Sequence, residues 1–158
     1  MSYVEIAPAD EPACEPDAPP KWYDRAMIGA EGPDTATLCS QVEDVCGLEL
    51  LLLFGSRGRG TATASADWDF GYLATDDLDV SALLATLVTA TGSDRVDLAD
   101  LARASGLLRH RAAQDGVVVF EATPGSAERF RLEAARFWCD AAPVLDRAYD
   151  ALLAGLKR

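Results

Sequence analysis

One stretch constrains the chain more than any other. Leu48 to Phe54 is an apolar run interrupted only by Glu49; it ends in Gly55-Ser56, and after ten further residues comes Asp67-Trp68-Asp69. An apolar run of this length bounded by turn residues predicts a buried strand. Asp67 to Ala74 predicts a second strand, because its character alternates. Asp67, Asp69 and Gly71 share one face; Trp68, Phe70 and Tyr72 share the other, which is expected to pack on helices. Between the two strands lies a Gly/Thr/Ser/Ala stretch, Gly55 to Ala66. A glycine at the end of a strand lets the backbone approach a ligand closely, and its N–H can point at a phosphate oxygen. Ser56 adds a hydroxyl. Two carboxylates two residues apart on a strand lie roughly 6.6 Å apart along it. Such a pair suits Mg²⁺, which takes one or two carboxylates together with substrate phosphates.

The rest of the chain alternates in the same way. Pro33-Asp34 starts a helix carrying Leu38, Val42 and Val45, which Gly47 is expected to end. Asp79 to Thr91 has a helical stripe closed by Gly92. Arg95 to Ala99 is a short strand, Ser105 to Gln114 a helix, and Val117 to Glu121 a β-branched strand. From Gly125 onward the pattern is helical, with Phe130, Ala134, Phe137, Val144, Tyr149, Leu152 and Leu156 mostly on one side. Pro143 is expected to break or kink it. The sum is α+β: about four strands in a small mixed sheet, helices on one face, and a long C-terminal helical segment. In Arg95-Val96-Asp97-Leu98-Ala99, Val96 and Leu98 point to the core and leave Asp97 on the face of Arg95. If this strand neighbours that of Asp67, Asp97 completes a three-carboxylate cluster, whose repulsion divalent cations would relieve.

Composition narrows the function classes. The 158 residues suit one domain. A net charge of −12 argues against a surface that grips nucleic-acid phosphates, and so against template-directed polymerisation. The four cysteines form no C-x-x-C pair and there is one histidine, which disfavours zinc and a disulfide framework. No basic and apolar leader and no long apolar run is seen, so a soluble, cytoplasmic protein without membrane contact is expected. Residues 1–20 hold five of the eight prolines, five acidic residues and no Lys or Arg; they read as an extended or disordered tail ahead of a domain at 21–158. Lys21 to Ile28 is a candidate short element against the body. His110, Phe137 and Trp138 read as structural, the last two as core. Asp100 suits a helix N-cap. Arg103, Arg109 and Arg111 form a basic patch on an acidic chain.

The segment LLLFGSRGRGTATASADWDFGYL resembles the signature of the DNA polymerase β-like nucleotidyltransferase superfamily: Gly-Ser, a spacer, then Asp-x-Asp. Together with RVDLADL and RASGLLRHRAAQDGVVVFEA it resembles the minimal nucleotidyltransferases, antitoxins paired with HEPN-domain toxins, over about residues 34–150. The resemblance implies that Gly55 and Ser56 bind nucleotide phosphates and that Asp67 and Asp69 bind Mg²⁺. It makes Asp97 the third carboxylate, metal ligand and possible base; Arg57 and Arg59 are candidate phosphate contacts. It implies transfer of AMP from ATP to a tyrosine hydroxyl of a cognate HEPN ribonuclease. Two departures stand out: Ala66 where the family often has Ser, and Trp68 where it usually has a small aliphatic residue. A small-molecule nucleotidyltransferase and a non-catalytic antitoxin that acts by binding are the competing readings.

Overall fold

The computed structural model describes residues 32–156, with side chains described as far as residue 141. The acidic tail at 1–20, the candidate element at 21–28, and the side chains of Val144, Tyr149, Leu152 and Leu156 lie outside the described residues. Nine elements follow in order: α1 (Thr35–Val42), β1 (Leu48–Phe54), α2 (Gly55–Gly58), β2 (Trp68–Ala74), α3 (Val80–Thr91), β3 (Val96–Asp100), α4 (Gly106–Asp115), β4 (Val117–Glu121) and α5 (Ser126–Leu156).

The strands form one sheet in the order β3-β2-β1-β4. β1 pairs antiparallel with both β2 and β4, whereas β2 and β3 run parallel. A parallel neighbour needs a crossover, and α3 supplies it between β2 and β3. The sheet is therefore mixed, as expected.

Polar side chains start α1, α3 and α4. Asp34 caps α1 by accepting the Thr37 N–H. Asp79 caps α3 by accepting from Ser81 and Ala82 at 2.9 and 3.0 Å. Ser105 caps α4 through the Leu108 N–H. Each cap satisfies donors that have no partner within the helix.

The helices do not all lie on one face, which corrects the expectation from sequence. Leu51 and Leu53 of β1 join Trp68, Phe70 and Tyr72 of β2 beneath Leu38 and Val42 of α1 and Leu83 and Leu87 of α3. Leu50 and Leu52 join Leu101 beneath Ala112 of α4 and Ala127, Phe130 and Ala134 of α5. The physical reason is in β1 itself. A strand with no polar face leaves half its apolar side chains in water unless both sides are covered.

Three further expectations are corrected. α1 ends at Val42 rather than at Gly47, which serves the turn into β1 with φ +81°. α5 is not broken at Pro143 but continues through it as one element of 31 residues: a proline removes a single ladder bond, and its neighbours keep theirs. Phe137 is exposed: it shares the side of α5 that carries Phe130 and Ala134, but seven residues beyond Phe130 it meets Gly106 at the start of α4 and not the buried cluster. His110 is structural, stacked on the half-buried Trp138 with ring centroids 4.7 Å apart.

Candidate active site

β1 delivers the chain to Gly55 at the end of the sheet. Gly55 has φ +67°, a left-handed conformation that side chains rarely adopt. A second constraint is spatial. A Cβ on Gly55 would overlap the carboxylate of Asp69, so the turn and the carboxylate are in direct apposition. From Gly55 the backbone makes the single turn of α2. It closes with Arg59 N–H donating to Gly55 O at 3.1 Å and Thr61 N–H donating to Ser56 O at 2.9 Å.

Arg57 does not face this turn. It is the buried charged residue among those described, 6% exposed, and its guanidinium lies 4.0 Å above the Trp68 ring. It donates through Nε (3.3 Å) and Nη2 (2.8 Å) to the Ala66 carbonyl. The expectation that Arg57 could reach phosphates is thereby corrected: its N–H groups tie the end of the 57–66 spacer to its beginning. Burial is the main influence on it and holds its pKa below the ordinary range. Trp68, the departure from the family pattern, is the platform for this clamp. It is buried, lies parallel to Phe70 at 6.0 Å between centroids, and is approached so closely by Gly32 that a Cβ there would come within 2.8 Å.

β2 carries Asp69 on the face opposite Trp68 and Phe70, as the alternation predicts. Asp67 lies one residue before the strand, exposed, with Arg95 Nε 3.8 Å from its Oδ1. In the parallel pair with β3, Trp68 is opposite Val96 and Asp69 is opposite Asp97. Asp97 is exposed and Asp69 half-buried. Burial raises the Asp69 pKa most; the charges of Asp97 and then Asp67 raise it further, and Arg59 opposes them. Asp69 therefore feels the charge of both other aspartates. The three side chains do not converge as they stand: among the described residues, no three His, Cys, Asp or Glu groups sit together as a ligand set. Closing the set requires Asp67 to turn from Arg95. The donor chemistry fits a hard divalent cation, because carboxylate oxygens that repel one another are the ligands such an ion takes.

The other candidates fall elsewhere. Asp100 ends β3 and accepts the Ala102 N–H at 2.8 Å, so it fixes a turn, not a helix N-terminus. Arg103 pairs with Asp100 at 3.5 Å and Arg109 with Glu133 at 3.7 Å, which neutralises two of the three cations of the basic patch. Asp115, which sequence reasoning did not single out, meets Arg59 at 3.0 Å. The two are 56 residues apart, so no local pattern could have indicated the pair.

Residues 38–124, more than half of the 158, match the family model described as Polymerase beta, Nucleotidyltransferase. The chain belongs to this family. It is similar to the protein adenylyltransferase MntA of Aphanizomenon flos-aquae (strain 2012/KM1/D3), at 30% identity over 96 residues. That match takes in 53% of this chain and 64% of MntA, so the chain spans under two thirds of that relative's length. Among solved structures, a crystal structure of a toxin–antitoxin with AMP-PNP aligns with TM-score 0.57 at 27% identity, covering 73% of this chain and 98% of the other. A tri-AMPylated Shewanella oneidensis HEPN toxin in complex with MNT antitoxin aligns with TM-score 0.52 at 26% identity, covering 73% and 95%. Among the described residues, no helix of this chain is long and apolar enough to cross a membrane.

Proposed function

We propose that this protein is a Mg²⁺-dependent protein adenylyltransferase that silences a cognate HEPN-type ribonuclease toxin by moving AMP from ATP to a tyrosine hydroxyl. In this reading residues 21–158 form the catalytic domain, residues 1–20 precede it as a tail, and the protein acts in the cytoplasm. The observation that carries the reading is the opposition of Asp69 and Asp97 across β2 and β3, directly against the Gly55 turn. The names of the similar proteins support the choice of acceptor: one is a protein adenylyltransferase, and another structure holds an AMPylated HEPN toxin.

The chemistry follows from the residues. Gly55 and Ser56 receive the β- and γ-phosphates, and Arg59 contributes a cation at the same turn. Asp67, Asp69 and Asp97 are the ligands for Mg²⁺, which when bound neutralises charge on the phosphates and draws the reacting oxygens together. The tyrosine oxygen attacks the α-phosphorus. A phosphorus–oxygen bond forms there, the bond to the β-phosphate bridging oxygen breaks, and pyrophosphate departs. Asp97, nearest the open edge of the sheet, takes the phenolic proton. Positioning and charge neutralisation supply most of the rate.

Intact-mass measurement of a HEPN-type toxin co-expressed with this protein and supplied with ATP and Mg²⁺ tests the proposal. The expected result is a mass gain of one or more AMP groups. In an Asp67→Asn/Asp69→Asn variant the transfer rate falls by roughly 10³-fold or more, since metal assistance is worth several kcal/mol. A gain undiminished in that variant refutes the assignment. Full silencing of the toxin without ATP points to neutralisation by binding, and transfer to small hydroxylated amines without a protein acceptor points to the small-molecule class.

A further inference from the structure

We propose that Asp115, the last residue of α4, is a positioning residue for nucleotide binding. It holds the Arg59 guanidinium at the phosphate-facing turn in the orientation that the triphosphate needs. The inference rests on the functional reading above.

The geometry begins with Arg59. Arg57 is committed to Ala66 and Trp68, and Arg95 lies against Asp67. Arg59 is three residues beyond Ser56, and its N–H closes the turn by donating to Gly55 O at 3.1 Å. Its side chain is half-exposed and long, so a free Arg59 would sample many rotamers and lose them on meeting a phosphate. Asp115 removes that freedom beforehand. Nη1 donates to Asp115 Oδ2 at 3.0 Å, the shortest ion pair among the described residues. One N–H is used in this way. The guanidinium fork has four others with which to meet phosphate oxygens.

Asp115 can serve as an anchor because the end of α4 is fixed from three sides. The Gly116 N–H donates to Ala112 O at 3.0 Å. The Gly116 carbonyl accepts from Arg131 Nη2 of α5, also at 3.0 Å. On the third side α2 rests on the end of α4: a Cβ on Gly58 would come within 2.7 Å of Leu53 O and 2.9 Å of Asp115 O. The turn that carries Gly55 and Ser56 and the residue that orients Arg59 thus belong to one packed unit. Asp115 also subtracts from the positive field at the phosphates. If charge alone mattered, removing its carboxylate would tighten nucleotide binding; a positioning role predicts the opposite.

Equilibrium titration with AMP-PNP and Mg²⁺, alongside steady-state KM and kcat for ATP, separates these roles. Arg59→Ala is expected to weaken binding on the order of 10- to 100-fold, the range for hydrogen bonds to charged groups. Asp115→Asn is expected to weaken it roughly 3- to 5-fold, the scale of an exposed ion pair, with KM raised and kcat little changed. Asp115→Glu restores most of the loss. In the Arg59→Ala background, Asp115→Asn adds nothing, because its only route to the nucleotide is gone. Equal or tighter binding by Asp115→Asn overturns the inference, and so does an additive loss in the double variant. Wild-type protein that binds AMP-PNP but transfers no AMP refutes the functional reading while the binding comparison still stands. Wild-type protein that does not bind AMP-PNP overturns both.

Discussion

Gly55 is the residue at which sequence, conformation and site meet. Its φ of +67° and the overlap that a Cβ would make with the Asp69 carboxylate are two separate reasons for glycine. Gly55→Ala is therefore expected to cost about 1–3 kcal/mol for the left-handed backbone alone, and to displace Asp69 and abolish transfer. Urea denaturation and the transfer assay read the two effects separately; an alanine variant of full activity would show that the turn has an alternative path. Gly55 was legible as the residue that ends an apolar run, and the faces of Asp69 and Asp97 through period-two alternation; that their strands are neighbours was a condition that the sheet meets. Arg57 was not legible. Its neighbour in sequence is the catalytic-looking turn, whereas its neighbours in space are Ala66 and Trp68, and only the fold brings those to it.

At the scale of elements, β1 and β4 have the bounds that their apolar runs predict, and the starts of α1, α3 and α4 follow their Asp or Ser caps. The faces were less legible. A strand as apolar as β1 announces burial, but it does not say which helix covers which side. That distribution depends on α4 and α5 returning over Leu50 and Leu52. Asp79 gives the test for capping. Asp79→Ala removes the acceptor of two N–H bonds at the start of α3 and is expected to cost about 1 kcal/mol, a fall in Tm of roughly 4 °C. α3 connects β2 to β3 from the far end of the strands, so transfer measured well below Tm should persist. Loss of transfer with no loss of stability would mean that α3 sets the spacing of Asp69 and Asp97 more directly than its cap suggests.

For the molecule as a whole, a net charge of −12 and the two like charges that act on Asp69 make the fold responsive to cations. Binding of Mg²⁺ to the folded state alone stabilises it by about 2.7 kcal/mol at a hundredfold excess over Kd. Thermal melts should therefore rise with Mg²⁺ and fall back with a chelator, and the Asp67→Asn/Asp69→Asn variant should show neither shift. An equal shift in that variant would locate the effect in general charge screening. The acidic charge is spread along the whole chain, which is why composition argues against a class of partner but could not point to the site. The close fit between Gly55 and Asp69 has a consequence over generations. A lineage that stopped transferring AMP but still relied on gripping its partner would lose one of the two reasons for glycine at position 55, and only the cost of the left-handed backbone would still oppose a side chain there. Among descendants of this chain, a residue other than glycine there would mark a protein that restrains its partner without modifying it.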